Sequence, residues 1–98
     1  MHSVYDLAAN MLTASVWKPP RFAPDGAGLS LHAAVYRAAR QHYPVQTDEQ
    51  SISGLYQEAV WFLGYILEVW SLTDWLNDEA RTQDEVIALL RRAEGAAR

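Results

Sequence analysis

The sequence predicts an all-α fold: a compact four-helix domain around one long central helix, with a single long Pro/Gly loop after the first helix. Three observations predict it. Apolar residues recur at i, i+3, i+4 and i+7 in four separate segments, which is the pattern of amphipathic helices. A capping residue or capping box stands before each of those segments. No stretch alternates apolar and polar residues as a half-buried strand does, and no internal repeat is present. The 98 residues fit one domain, taken as 1–98, and a chain of this size buries roughly 60–65% of the surface its unfolded form exposes. With 50% hydrophobic and 20% charged residues, the composition is globular rather than disordered.

The first helix is expected from Val4 to about Ser15. Ser3 caps it, and Asp6 favours the positive end of the helix dipole. Val4, Leu7, Ala8, Met11 and Leu12 form one apolar stripe. Pro19 and Pro20 end the segment, because a proline pushes the preceding residue out of the helical region. The loop Lys18–Leu29 follows, reading KPPRFAPDGAGL, with a turn signal at Asp25-Gly26. Its prolines lack PxxP spacing, and its glycines form neither GxGxxG nor a GK[ST] phosphate cradle. Ser30 then caps a second helix, Leu31 to about His42, stopped by Pro44. Leu31, Ala34, Val35, Ala38 and His42 share its face, whose small residues admit a close neighbour; Arg37 and Arg40 lie opposite.

Thr47-Asp-Glu-Gln50 reads as a capping box for the third helix, Asp48 to about Ser71. Its main stripe is Ile52, Leu55, Tyr56, Ala59, Leu63, Ile66, Leu67 and Trp70, with Tyr56 and Trp70 expected in the core. A second group, Trp61, Phe62, Tyr65 and Val69, falls on the side and back. A helix apolar on most sides is either surrounded by the others or faces a partner, so this one is taken as central. It does not span a membrane: the fourteen residues Ala59–Leu72 fall short of the roughly 20 required, and Glu68 sits among them. After a link over Leu72–Arg81 with one helical turn around Trp75, Thr82-Gln-Asp-Glu85 caps the fourth helix, about 83–94. Val86, Leu89, Leu90 and Ala93 form its stripe, Arg91 and Arg92 suit its negative end, and Gly95 suits its C′ position.

Charge and composition narrow the function. Residues 1–47 carry Lys18, Arg21, Arg37 and Arg40 against Asp6 and Asp25, a balance of +2. Residues 48–98 carry ten carboxylates against four arginines, −6, and together they make the net −4. An acidic half repels phosphate backbones and anionic lipid, so neither nucleic acid nor a membrane is an expected partner. There is no cysteine, which removes disulfides and thiolate metal sites and suits a reducing, cytoplasmic setting. Met1–Val16 lacks a basic n-region and does not read as a signal peptide. Lys18 is the only lysine and alanine is abundant, a bias of GC-rich genomes.

Catalytic and metal patterns are not found. His32 and His42 lie ten residues apart, roughly 80° out of register on a helix, and no HxxxH or HExxH occurs. His42 reads as a half-buried residue at a helix end and His2 as part of a frayed terminus. Asp48/Glu49 and Asp84/Glu85 belong to the first turns of their helices. Asp74, Asp78 and Glu79 surround Trp75 and Asn77, of which Asn77 or Asp78 caps or turns the link. No Ser or Thr stands in a nucleophile elbow. No cofactor, metal or catalytic residue is therefore expected.

Four tryptophans and five tyrosines are the most informative feature, since aromatic side chains dominate cores and interfaces alike. Trp61 and Tyr65, one turn apart, are what short helices have most trouble covering. Either the first or fourth helix hides them, or they form a surface for a protein partner or a second copy, together with Phe62, Glu68 and Val69. Glu68 reads as a solvent-facing acid, or one paired with an arginine at an interface. A small-ligand pocket among Trp70, Trp75 and the loop Lys18–Leu29 is the alternative. A nucleic-acid module using Arg37 and Arg40 beside Lys18 and Arg21 ranks behind both.

Trp17 after the first helix, the Asp25-Gly26 loop leading to Gly28-Leu-Ser-Leu-His-Ala-Ala34, and the ending Trp75-Leu-Asn-Asp78 with Thr82, Glu85-Val86 and Leu89-Leu90 carry a resemblance. In that order of features the chain resembles a family of uncharacterised small helical proteins of actinobacteria and their phages, classed as a domain of unknown function. The resemblance implies an all-α fold and an actinobacterial or phage source, and assigns no reaction and no site. The function expected from the whole is non-enzymatic: a small acidic protein–protein interaction protein, an actinobacterial or phage accessory acting on a host protein, with self-association in view.

Overall fold

The computed structural model describes residues 3–15, 17, 29–43, 47–78 and 80–96. Among them are five helices and no strand: α1 (Val4–Thr13), α2 (Leu31–His42), α3 (Glu49–Leu67), α4 (Leu72–Leu76) and α5 (Gln83–Ala96). The all-α class stands; the fifth helix is the turn expected around Trp75 in the link, here the short α4, and the third expected helix stops four residues early, at Leu67.

Local chemistry sets most of the starts where the sequence places them. Ser3 Oγ accepts from the Asp6 N–H at 3.1 Å, and Ser30 Oγ from the Ala33 N–H at 3.1 Å. At α5 the capping box closes in both directions: the Thr82 N–H donates to Glu85 Oε1 at 3.0 Å and the Glu85 N–H to Thr82 Oγ1 at 3.3 Å. Glu85 is held below the usual carboxylate range, first by that backbone donor. The box at α3 is shifted by one residue. Asp48, not Thr47, is the cap, its carboxylate accepting from the Ser51 N–H at 2.8 Å. A charged acceptor makes the stronger bond to an orphan N–H, and that bond holds Asp48 below its ordinary pKa.

The ends depart further from expectation. α3 stops at Leu67 rather than Ser71. Glu68 adopts φ 56° and ψ 40°, the left-handed region; its N–H donates to the Tyr65 carbonyl at 3.1 Å and the Val69 N–H to the Gly64 carbonyl at 3.2 Å. These two bonds make a Schellman cap with glutamate in the place glycine usually takes. Ser71 then caps α4, accepting from the Asp74 N–H at 3.2 Å. Gly95, expected just beyond α5, lies within it; Ala96 after it is the best of helix formers.

α1 ends at Thr13, two residues early, and the cause lies far along the chain. The Gln83 amide donates to the carbonyls of Leu12 at 2.7 Å and Ser15 at 2.9 Å. Its Oε1 accepts from the Trp17 N–H at 3.0 Å. One side chain at the start of α5 thus satisfies groups that the end of α1 leaves open. Trp17 and Leu29 form an isolated parallel bridge that ties together the two ends of the expected loop. Its interior, 18–28, with Pro19, Pro20 and Asp25-Gly26, lies outside the described residues, as do His2 and Pro44.

α1, not α3, occupies the middle of the domain. It packs between α2 and α5 and buries Val4, Tyr5, Asp6, Ala8, Ala9 and Leu12, a face much wider than one stripe. α1 packs on α2, and both bury small side chains, Ala8 and Ala9 on α1 and Ala34, Val35, Ala38 and Ala39 on α2, which suits a close approach. α3 lies against α2, touches α5 more sparsely, and fully buries only Ile52, Ala59 and Leu63. Leu12, Leu31, Leu63, Leu76, Leu90, Val35 and Val86 are the largest fully buried side chains.

Polar links hold the helices in register. Arg91 crosses from α5 to α1, where it bonds the buried Asp6 carboxylate and Asn10 Oδ1 at 2.8 Å, instead of serving the end of its own helix. Arg40 at the end of α2 pairs with Glu49 at the start of α3, and the Tyr36 hydroxyl donates to Glu49 at 2.6 Å. Hydrogen bonds from Tyr36 and Arg40 hold the Glu49 carboxyl below its usual pKa. Arg81 lies flat over the Trp75 ring at 3.7 Å and donates to the Trp75 carbonyl at 3.0 Å, which fixes α4 to the start of α5. Gln83→Ala removes three bonds at once. We expect it to lower unfolding stability by about 1–3 kcal/mol, read as a lower urea midpoint with an unchanged slope.

Candidate functional site

The last two turns of α3 are left partly uncovered by the neighbouring helices. Residues two apart in sequence, which point to opposite sides of the helix, meet opposite fates there. Leu63 is fully buried, while Trp61 is 67% exposed, Tyr65 66%, and Trp70, in the bend after α3, fully exposed at 106%. Between them lies an open groove of about 860 Å³. Val60, Gly64 and Val69 line it from the α3 side, Leu72 begins α4, and Arg92 and Ala96 of α5 form the opposite wall. Glu68 stands at the rim, put there by its left-handed turn.

An aromatic ladder leads from this surface to the core. Trp61 stacks on Tyr65 with centroids 5.4 Å apart and rings 17° from parallel. Tyr65 stacks on Phe62 at 6.4 Å, and Phe62 meets the buried Tyr5 of α1 at 5.8 Å. Such pairs add roughly 0.5–1.5 kcal/mol beyond area burial, which favours the stacked arrangement of the exposed rings. Burial, and secondarily the charge of Glu58, pushes the Tyr5 hydroxyl up to about 12.

Of the five residues expected on a partner surface, Trp61, Tyr65, Glu68 and Val69 line the groove. Phe62 does not. It is half-buried under Tyr65, because its face of α3 turns toward α1. Trp70 and Arg92 are among the lining residues that were not anticipated. Trp70, expected in the core, stands in solvent because the helix ends before it reaches the core side. A signal for this is present: Ser71-Leu-Thr-Asp74 has the spacing of a helix start, and a helix starting at Leu72 cannot be the one that carries Trp70. Arg92 was assigned to the helix dipole, and its place on the wall depends on how α5 crosses α3, which no local pattern encodes.

The other candidates separate. Trp70 and Trp75 line different depressions, the second formed by Leu67, Trp75, Glu85, Ala88, Leu89 and Arg92; the loop 18–28 of the proposed ligand pocket lies outside the described residues. Arg40 is engaged with Glu49, Arg37 is exposed, and Lys18 and Arg21 are not among the described residues. Tyr56, expected in the core, is half-buried, edge-on to Tyr36 at 5.6 Å and to His32 at 6.5 Å. Burial pushes the His32 pKa down. His42 is exposed rather than half-buried, since the last turn of α2 projects past its neighbours, with its ring edge-on to Tyr43. Asp78 accepts from the Ala80 N–H at 2.9 Å, a turn, and Asn77 ends α4; Glu79 is not described. Among the described residues no three His, Asp or Glu side chains gather as metal ligands, and no helix is long and apolar enough to cross a membrane.

Residues 1–96 match the model of a family described as Family of unknown function (DUF6197). The chain belongs to that family. No curated protein and no solved structure matches it. Membership in DUF6197 accounts for nearly the whole length, so groove, ladder and Gln83 link all fall within the family's domain.

Two outcomes follow. Trp61→Ala should cost no more than the stack it removes, about 0.5–1.5 kcal/mol, whereas Leu63→Ala should cost about 2–5 kcal/mol; paired urea titrations check the contrast. Tyr5 ionises near 10 when unfolded and near 12 when folded, so its neutral form favours the folded state. That contribution is intact below pH 10 and is lost as pH rises from 10 to about 12. Tyr5→Phe should flatten the alkaline fall in melting temperature across that window, and an unchanged fall would contradict it.

Proposed function

We propose that this chain is a non-enzymatic protein–protein interaction domain whose contact surface is the groove at the end of α3. What carries the reading is one observation: Trp61, Tyr65 and Trp70 stand exposed around a single apolar groove. Large rings cost free energy in water, at about 25 cal/mol per Å² of apolar surface. Clustered rather than scattered, they mark a binding patch on an otherwise ordinary surface. Tryptophan, tyrosine and arginine are also the residues that most often dominate binding energy at protein interfaces, and all three types line this groove. The stacking of Trp61 on Tyr65 lowers the entropy lost when a partner fixes them.

In this reading the protein is a cytoplasmic accessory of an actinobacterium or its phage, and its partner is a host protein or a second copy. The arginine-rich, cysteine-free composition and the order of motifs support the source and the compartment. The small-ligand alternative gains nothing from the geometry, since its two tryptophans face different depressions.

A photo-crosslinking amino acid placed at Trp61, with another at Arg37 on the far side of α2 as control, tests the proposal in expressing cells. We expect a discrete protein adduct from position 61 that is lost when Trp70→Ala is added, and none from position 37. Equal labelling from both positions, or none from position 61, would remove the interaction reading.

A further inference from the structure

The groove carries both halves of what a self-complementary contact requires. Trp70 is a knob, fully exposed at 106%, at the edge of a hollow whose floor includes Gly64, Val60 and Val69. A two-fold dimer places the same patch on both sides, so each copy must offer a projection and a recess close together. The charges follow the same rule. Glu68 and Arg92 both line the groove, and neither makes an ion pair among the described residues. Of the four arginines in the second half of the chain, Arg81 is engaged with Trp75 and Glu85 and Arg91 with Asp6; Arg98 is not described. Among the described arginines of this half, Arg92 lines the groove and has no ion pair of its own, so it can answer a carboxylate from outside.

On these grounds, and resting on the interaction reading above, we propose that the occupant of the groove is a second copy of this chain. The two copies form a two-fold dimer in which Trp70 of each enters the groove of the other and Glu68 of each pairs with Arg92 across the interface. Because the patch carries one carboxylate and one guanidinium, a second copy related by a two-fold axis can supply an arginine for Glu68 and a carboxylate for Arg92 at once. Gly64 leaves the groove open where a side chain would otherwise stand. A Cβ added there meets only the Val69 carbonyl at 3.9 Å, ordinary contact, so the glycine is not required by packing within one copy.

Sedimentation of the full chain over a range of concentrations tests the proposal. The expected species is a reversible dimer of about twice the 11.0 kDa chain mass. Trp70→Ala should raise the dissociation constant by about 30-fold or more, as a central aromatic does in an interface. Glu68→Arg and Arg92→Glu should each dissociate the dimer, and the two changes in one chain should restore it, with circular dichroism unchanged throughout. A strict monomer at every concentration, or a dimer indifferent to Trp70→Ala and to the charge exchanges, would overturn the proposal. If such a monomer still gave an adduct with another protein from position 61 and not from position 37, the interaction reading would survive without its second copy. If it gave none, both would fail.

Discussion

One residue in the left-handed region governs what this molecule shows to solvent. Glu68 has φ 56°, a conformation that costs a non-glycine residue roughly 1–2 kcal/mol. The turn is held by the two Schellman bonds and by the Ser71 cap, each contributing about 1 kcal/mol. It also redirects the chain so that Leu72 and Leu76 are buried, at about 1.5–3 kcal/mol for each leucine. The strain is therefore outweighed by packing that depends on it. Without the turn, residues 68–71 would extend α3, and Trp70 would lie on its core-facing stripe.

That bend explains why an aromatic-rich helix is left partly bare. Since α1 holds the centre, α3 is a flank with one face on α2 and its far end against α5. The wide buried face of α1 requires its own polar groups to be answered. Asp6 is met by Arg91, and the carbonyls at its end are met by Gln83. These links run between residues more than sixty positions apart, so the two chain ends are fastened together while the end of α3 is not fastened to anything of comparable depth. The ladder from Tyr5 to Trp61 then carries rigidity outward, and the exposed rings are positioned by the core beneath them.

Much of the fold was legible because caps and apolar spacing are local. Ser3, Ser30 and the box Thr82–Glu85 act as their spacing indicates, and α2 runs over the expected residues. The capping residue of α3 moved by one because two adjacent acceptors compete and the carboxylate binds better. What escaped was tertiary. Nothing near Gln83 in sequence says that its amide will end α1, and nothing near Arg91 says that it will leave its own helix for Asp6. The break at Glu68 escaped for a different reason: its usual marker, glycine, is absent, and the informative residue was Ser71 three positions on. Trp61, Tyr65, Glu68 and Val69 were legible as neighbours on one uncovered surface because α3 has more apolar circumference than its neighbours can cover. Phe62 was misplaced since a ring on the flank of a helix falls inside or outside according to the angle at which α1 crosses.

The account stands on α3 ending at Leu67, and solution NMR of the backbone through this stretch tests it most directly. Helical sequential contacts should stop at Leu67, Glu68 should show the coupling of a positive φ, and helical contacts should resume at Leu72, with the Trp70 indole N–H exchanging freely with water. Unbroken helical contacts from Glu49 through Ser71, with the Trp70 indole protected from exchange, would contradict the turn and the exposed groove together.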